Sequence, residues 1–252
     1  MKTFNKLSIL TLTSLLVLSA CETTELDLTS NPNALSPEQA SADLFINNIQ
    51  EDFASFVDGM GDTGARLTRV AYLGGDRFYS DNYSPNSFSG AWSIAYQIMM
   101  EDIRVMNTIA EENGLTYYIA MGQVMQAYIL MTLVDYFGDI PYSEALKGSD
   151  NLNPAPDSGA SVYDAALGLL DDAITNFNAG GVPPQYDMYY NGDADAWIKA
   201  ANSIKKRAYI NLGDYASYNS ITNYIKNNSE DFEFTWGNNE VNPDTRHPIY
   251  TY

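Results

Sequence analysis

The chain contains very few of the residues on which most enzyme active sites depend. Among its 252 residues there is one cysteine, Cys21, and one histidine, His247. A single cysteine cannot form an internal disulfide, and one histidine with one cysteine cannot build a His/Cys metal cage. A Ser-His-Asp triad would have to use His247, which lies close to the end of the sequence. Catalysis that needs an imidazole or a thiolate is therefore disfavoured.

Basic residues are also scarce. Lysine and arginine together number 13 against 32 aspartates and glutamates, which gives a net charge of −19. A surface of this charge repels phosphate backbones and disfavours nucleic acid as a partner. The acidic segments 58–62 and 76–81 do not follow the spacing of an EF-hand loop, so we predict no metal site and no cofactor. The composition, with 45% hydrophobic residues, is that of an ordinary globular protein.

The N-terminus carries the pattern of a lipoprotein signal peptide. Lys2 and Lys6 precede an apolar run over residues 7–18, which is too short to span a bilayer and typical of a secretory h-region. The run leads into Leu18-Ser19-Ala20-Cys21, which resembles a bacterial lipobox. Proteins with that motif are cleaved before the cysteine, which is then acylated. The alternative is a soluble secreted protein cleaved at a small-residue site, with Cys21 incidental.

These features predict three regions in the chain. Residues 1–20 form a lipoprotein signal peptide, and residues 21–35 form an acidic and polar tether after a lipidated Cys21. The acidic residues that directly follow Cys21 resemble the surface-export signal of Bacteroidetes lipoproteins. Residues 36–252 form a helical domain.

The helical domain shows apolar residues at helical spacing, separated by Gly, Pro and Asn. The predicted fold class is all-α, with TPR-like antiparallel helix pairs and long irregular loops. An unrelated helical bundle is the alternative. Helices are predicted at about 36–59 (capped by Ser36), 91–112, 115–137, 161–177 (capped by Ser161) and 195–212, with a shorter one from 214.

Four segments resemble one protein family. Residues 127–141 (AYILMTLVDYFGDIP), 162–177, 193–212 (DADAWIKAANSIKKRAYINL) and the Asn-Pro and His-Pro pairs near the C-terminus are similar to elements of SusD/RagB-type outer-membrane lipoproteins. With the lipobox, the matches follow the order found in that family. The resemblance implies a helical TPR-like fold and a SusC-like TonB-dependent outer-membrane transporter as partner.

The resemblance also implies a function, which is capture of an oligosaccharide, or of peptide in some RagB-like members, for import. A TPR-like structural adaptor without ligand is one alternative. A glycoside hydrolase that uses two carboxylates is another. Family members are about twice as long as this chain, so we expect an incomplete domain that lacks the C-terminal half and is unstable alone. The aromatics that would then lack a packing surface are Phe232, Phe234, Trp236, Tyr250 and Tyr252.

Aromatic side chains can stack on the C–H faces of sugars while polar neighbours bind the hydroxyls. The chain has 19 tyrosines, and the loop at residues 74–83 alternates aromatic with hydrogen-bonding residues. Trp92 lies on a helical stripe and is also a core candidate. The basic cluster Lys205-Lys206-Arg207 is expected to pair with the acidic surface. The predicted ligand-binding residues are Asp76, Arg77, Tyr79, Asn82, Tyr83 and Trp92.

Overall fold

The computed structural model describes residues 41–71, 84–241 and 245–247. The predicted signal peptide, Cys21, the tether and the cap at Ser36 lie outside the described residues.

The described chain is helical, which confirms the predicted all-α class with TPR-like helix pairs. Within these residues no β-strand occurs, and one isolated antiparallel bridge joins Ile140 to Asp157. Short 3₁₀ turns lie at Pro85–Phe88, Gly148–Asp150 and Asn228–Glu230. The longer elements are α1 (Ala42–Leu67), α2 (Ser89–Trp92), a π-helical segment (Ser93–Met100), α3 (Glu101–Asn113), α4 (Thr116–Phe137), α5 (Gly159–Ala179), α6 (Ala194–Asn211) and α7 (Tyr215–Ser220).

Serine side chains cap two of the helices. Helix α1 is described from Ala42, where the side chain of Ser41 accepts a hydrogen bond from the Leu44 amide. Helix α5 begins at Gly159, and its cap is Ser158, which accepts from the Ser161 amide. The predicted cap at Ser161 is therefore wrong, because that residue is already inside the first helical turn.

Helix α1 continues past Gly59, where the sequence predicted its end. The Tyr136 hydroxyl of α4 donates a hydrogen bond of 2.6 Å to the Met60 carbonyl. A side chain at Gly64 would collide with that hydroxyl, so the glycine allows the two helices to approach. Tertiary packing thus overrides the low helix propensity of the glycines in this segment.

Helix α4 is the central element of the fold. It packs against α5, α3 and α1, and most of its side chains are buried. In the described part of the chain it is the one helix long and apolar enough to cross a membrane, but 72% of its most apolar window is buried inside the protein. Its apolarity is that of a core helix.

A network of hydrogen bonds to one carboxylate, that of Asp187, closes the turn that leads into α6. Asp187 is buried and accepts hydrogen bonds from the amides of Tyr189 (3.0 Å), Tyr190 (3.1 Å) and Gly192 (2.9 Å). Its second oxygen also accepts from the indole N–H of the fully buried Trp197 at 2.7 Å. This one side chain therefore fixes both the turn and the largest ring of the core.

The C-terminal aromatics fold back on the core, contrary to the expectation that they would lack a packing surface. Phe232 stacks on Tyr190 with 5.7 Å between ring centroids and meets Trp197 edge-on at 5.2 Å. Phe234 and Trp236 contact each other at 4.9 Å. All three are half-buried, whereas Tyr250 and Tyr252 lie outside the described residues.

Candidate functional site

Of the six predicted ligand-binding residues, Trp92 lies in the described part of the chain. Asp76, Arg77, Tyr79, Asn82 and Tyr83 lie outside it, so those five remain predictions. Trp92 is half-buried at the end of α2.

Trp92 lines a cavity of about 1080 Å³, which we call the Trp92 cavity. One wall is the π-helical segment with the start of α3, and the other is the loop that follows α4. The volume is slightly above the usual range for small-molecule sites, which is about 300 to 1,000 Å³. The main side chains around it are Trp92, Ser93, Tyr96, Gln97, Glu101, Arg104, Pro141, Leu146 and Lys147.

Two aromatic rings form the apolar face of the Trp92 cavity. Trp92 and Tyr96 are stacked, with 5.4 Å between centroids and 16° between planes. Trp92 is supported by Phe137 at 4.9 Å, and the Tyr96 hydroxyl donates to the Pro141 carbonyl at 2.5 Å. Burial raises the pKa of Tyr96 above its ordinary range, so the hydroxyl stays protonated and keeps this bond. We call this stacked pair the aromatic platform. It is rigid because Phe137 supports Trp92 and the Pro141 carbonyl holds Tyr96.

The π-helical segment (Ser93–Met100) sets the position of this pair. Its hydrogen bonds are of the i→i+5 type. Such bonds are rare in proteins, and the segments that contain them frequently lie at functional sites. Trp92 directly precedes this segment and Tyr96 lies within it. The segment continues into α3, whose C-terminal cap is Gly114 in the left-handed conformation (φ 67°).

Polar side chains lie beside the rings. Arg104 binds both carboxylate oxygens of Glu101, at 2.5 and 2.9 Å, and this pairing lowers the pKa of Glu101. The Ser93 hydroxyl donates to the Gln97 side-chain carbonyl at 2.7 Å, which leaves the amide nitrogen of Gln97 to donate elsewhere. The cavity thus combines an aromatic surface with both donors and acceptors.

Two carboxylates organise the loop wall of the cavity, residues 140–157. Asp157 accepts hydrogen bonds from the amides of Tyr142 (2.9 Å) and Ser143 (2.8 Å), and also from the Ser143 hydroxyl. Glu144 accepts from the Ala155 amide at 3.0 Å and from Asn151. These bonds hold the ends of the loop together.

The loop wall is expected to loosen in acid. Hydrogen bonds from Ser143 and Tyr142 lower the pKa of Asp157 below its ordinary value of 3.8, and bonds from Ala155 and Asn151 lower that of Glu144 below 4.5. Stabilisation from carboxylates with lowered pKa values is present above those ordinary values and is lost as the pH falls through the folded values. Amide protection in the loop should therefore fall at low pH while α4 remains protected.

Hydrogen exchange followed by NMR between pH 5 and pH 2 measures this change. Asp157→Asn is the matched control, because asparagine keeps one acceptor oxygen and does not titrate. In that variant the Tyr142 and Ser143 amides should be less protected at pH 5 and should show a weaker pH dependence. Equal loss of protection in α4 and the loop would contradict the prediction.

Sequence reasoning found Trp92 but missed the rest of the cavity. Tyr96 carries a signal, since it lies four residues after Trp92 on the same helical stripe. Gln97, Arg104 and Lys147 carry no such signal. They come together because the loop at residues 140–157 is positioned by contacts that are distant in sequence.

The helix pairs and the aromatic cavity define an all-α protein with a small-molecule-sized site. Residues 32–249 match the SusD-like family, described as starch-binding and associating with the outer membrane. The chain belongs to this family, whose members are binding proteins.

Solved structures of Bacteroides proteins share the fold. A SusD/RagB family protein from Bacteroides thetaiotaomicron aligns with a TM-score of 0.67 and 22% identity, over 81% of this chain and 47% of that protein. A SusD homologue from Bacteroides fragilis gives 0.53 and 20%, over 62% and 38%. One from Bacteroides vulgatus gives 0.53 and 18%, over 64% and 35%. The chain therefore spans about half or less of their length. Among curated proteins none matches.

Proposed function

We propose that this protein captures an oligosaccharide in the Trp92 cavity and passes it to a SusC-like TonB-dependent transporter for import. Membership of a family described as starch-binding supports the ligand class. The observation that carries the proposal is the stacked pair of Trp92 and Tyr96 beside a polar edge.

The chemistry of the cavity suits a sugar. A pyranose presents an apolar C–H face that stacks on an aromatic ring, and hydroxyls that both donate and accept hydrogen bonds. The Gln97 amide and the Lys147 ammonium can donate to hydroxyl oxygens, while Glu101 can accept from them. A ring held from behind loses little freedom when a ligand binds, which favours affinity.

The proposed location is the outer membrane, with the protein lipid-anchored through Cys21 and exposed at the cell surface. The family's association with the outer membrane supports this location. The anchor and the acidic tether rest on the sequence alone. The proposal includes capture and transfer and no catalytic step.

Truncating the aromatic platform is expected to weaken binding strongly. Trp92→Ala should raise the Kd for a retained oligosaccharide about tenfold or more, because anchoring tryptophans typically contribute about 2 kcal/mol. Affinity gel electrophoresis of the soluble Cys21→Ala protein against starch, xylan and mannan identifies the retained polymer. Calorimetry with the matching oligosaccharide then gives the Kd.

Tyr215→Ala is the matched control, since Tyr215 is an aromatic residue that is 65% exposed and does not line the Trp92 cavity. It should bind as the parent does. Release of reducing sugar during incubation would show a hydrolase instead. Binding of peptides with no retention on any polysaccharide would assign the cavity to peptide capture.

A further inference from the structure

A second cavity, of about 690 Å³, lies between α1, α6 and residues 231–236. We call it the Arg207 cavity. Its lining includes side chains of α1, α4 and α6, and it shares no lining residue with the Trp92 cavity.

Arg207 is the unusual side chain of this cavity. Its guanidinium lies 4.6 Å from the centre of the Tyr128 ring, and its Nη2 is buried. Among the described residues no hydrogen-bond acceptor reaches Nη2 and no carboxylate forms an ion pair with this arginine. A buried charged donor without an acceptor is strongly unfavourable, so an acceptor from beyond the described residues is expected here.

Unlike Nη2 of Arg207, the ammonium groups of the two preceding lysines have hydrogen-bond acceptors. Lys205 forms an ion pair with Asp171, as the sequence predicted for the basic cluster. Lys206 donates instead to the carbonyls of Tyr218 (2.7 Å) and Ile221 (3.2 Å). The expectation that the cluster pairs with the acidic surface is therefore confirmed for Lys205, whereas Lys206 and Arg207 form no ion pair with a carboxylate of the described residues.

Aromatic rings form the wall on the other side of the cavity. Phe232 is fixed against the core, and it is followed by Phe234 and Trp236. Trp236 also contacts the ring of His247 at 5.5 Å between centroids. The half-buried rings of Phe234 and Trp236 give an apolar face of the kind on which a sugar ring stacks.

The charges of the cavity select among ligand classes. Three carboxylates (Asp58, Asp231 and Glu233) line it together with the single guanidinium. An anionic ligand would meet three carboxylates against one guanidinium, and a cationic ligand would leave Nη2 of Arg207 without an acceptor. A neutral hydroxyl avoids both conflicts, because its oxygen accepts from the guanidinium while its hydrogen is donated to a carboxylate.

We propose that the Arg207 cavity is a second saccharide site, which takes a neutral sugar residue hydrogen-bonded to Arg207 and stacked against Phe234 and Trp236. This site and the Trp92 cavity have the class of ligand in common and no lining residue. Each of the two proposals can therefore be tested independently of the other.

The three tryptophans of the chain provide the test. Trp92 lines one cavity, Trp236 lines the other, and Trp197 is fully buried in the core. In protein labelled with 5-fluorotryptophan, each site has its own ¹⁹F resonance, assigned with the variants Trp92→Phe and Trp236→Phe. The probes are maltoheptaose, cellohexaose, xylohexaose and mannohexaose, with hexagalacturonic acid as the anionic comparison.

A neutral oligosaccharide should shift the Trp236 resonance in a saturable manner, and the hexagalacturonate should bind more weakly. Arg207→Met keeps the apolar stem and removes the donors, so it should weaken the Trp236 response about tenfold or more. The Trp197 resonance reports whether this variant is folded. If it is not, Phe234→Ala takes its place, with the same expected loss.

The proposal is overturned if no neutral oligosaccharide shifts Trp236, if hexagalacturonate binds more tightly, or if a folded Arg207→Met variant responds as the parent does. A response at Trp92 without one at Trp236 supports the proposed function and refutes the second site. A response at Trp236 without one at Trp92 refutes the assignment of capture to the Trp92 cavity and supports a saccharide site in the Arg207 cavity.

Discussion

Replacing Asp187 by alanine is expected to lower the free energy of unfolding by about 3 to 4 kcal/mol, because it leaves several donors without an acceptor at once. The Trp197 indole N–H is fully buried and has no other hydrogen-bond partner among the described residues. The amides of Tyr189, Tyr190 and Gly192 lose the acceptor that holds their turn. In a chain of this size the loss corresponds to a melting temperature lower by about 10 °C.

Urea unfolding followed by Trp fluorescence and circular dichroism measures the loss. Asp214→Ala is the matched control, since Asp214 is an exposed carboxylate that caps α7 by accepting a 3.0 Å bond from the Ser217 amide. That change removes only an exposed cap and should cost much less than Asp187→Ala. Asp187→Asn should fall between the two, because one carbonyl oxygen remains. If Asp187→Ala and Asp214→Ala prove equally stable, the network contributes little.

Replacing Cys21 by alanine is expected to remove the membrane anchor entirely. The acyl chains of a lipidated cysteine each contribute about 0.8 kcal/mol of membrane affinity per buried CH₂ group, and two or more chains give stable attachment. The variant protein should therefore appear in the soluble fraction or remain unprocessed, while the parent fractionates with the outer membrane.

Membrane fractionation and labelling with an alkyne fatty acid follow this change. Ser19→Ala is the control, because it alters the lipobox-like segment and keeps the thiol that is acylated. It should remain labelled and membrane-bound. An unmodified mature N-terminus at another residue, found by mass spectrometry of the parent, would contradict the prediction.

Helix positions were predictable where local signals were strong. Helix α4 was expected at 115–137 and is found at Thr116–Phe137, between Gly114 and Gly138, both with positive φ. The apolar stripe of α6 is buried as predicted, including Trp197 and Ala201. Starts and ends that depend on tertiary contacts were missed.

The short helix α7 shows why weak local patterns mislead. The aromatic residues of this segment recur at helical spacing, which favours an inward-facing Tyr215, but this residue is 65% exposed. The helix ends at Ser220, and the carbonyls of Tyr218 and Ile221 bind the Lys206 ammonium instead of continuing the helix. A side chain from another element therefore decides where the segment ends.

The candidate site was predictable only through one of its residues. An aromatic residue followed by another four positions later is a common helical pattern, so Trp92 and Tyr96 alone do not identify a cavity. The opposite wall depends on bonds from Asp157 to Tyr142 and Ser143. The sequence has no local pattern for contacts of that kind.

The direction in which Trp92 points depends on the length of the π-helical segment (Ser93–Met100) that follows it. The number of residues in this segment matters more for that direction than their identities. Each residue of an α-helix turns the chain by about 100°, and a π-helical turn holds more residues than an α-helical turn. Loss of one residue from the segment would let the ordinary hydrogen-bond ladder resume and would change the rotation of Trp92 around the axis relative to α3. Substitutions here can change what the cavity recognises, whereas insertions and deletions change where the platform faces.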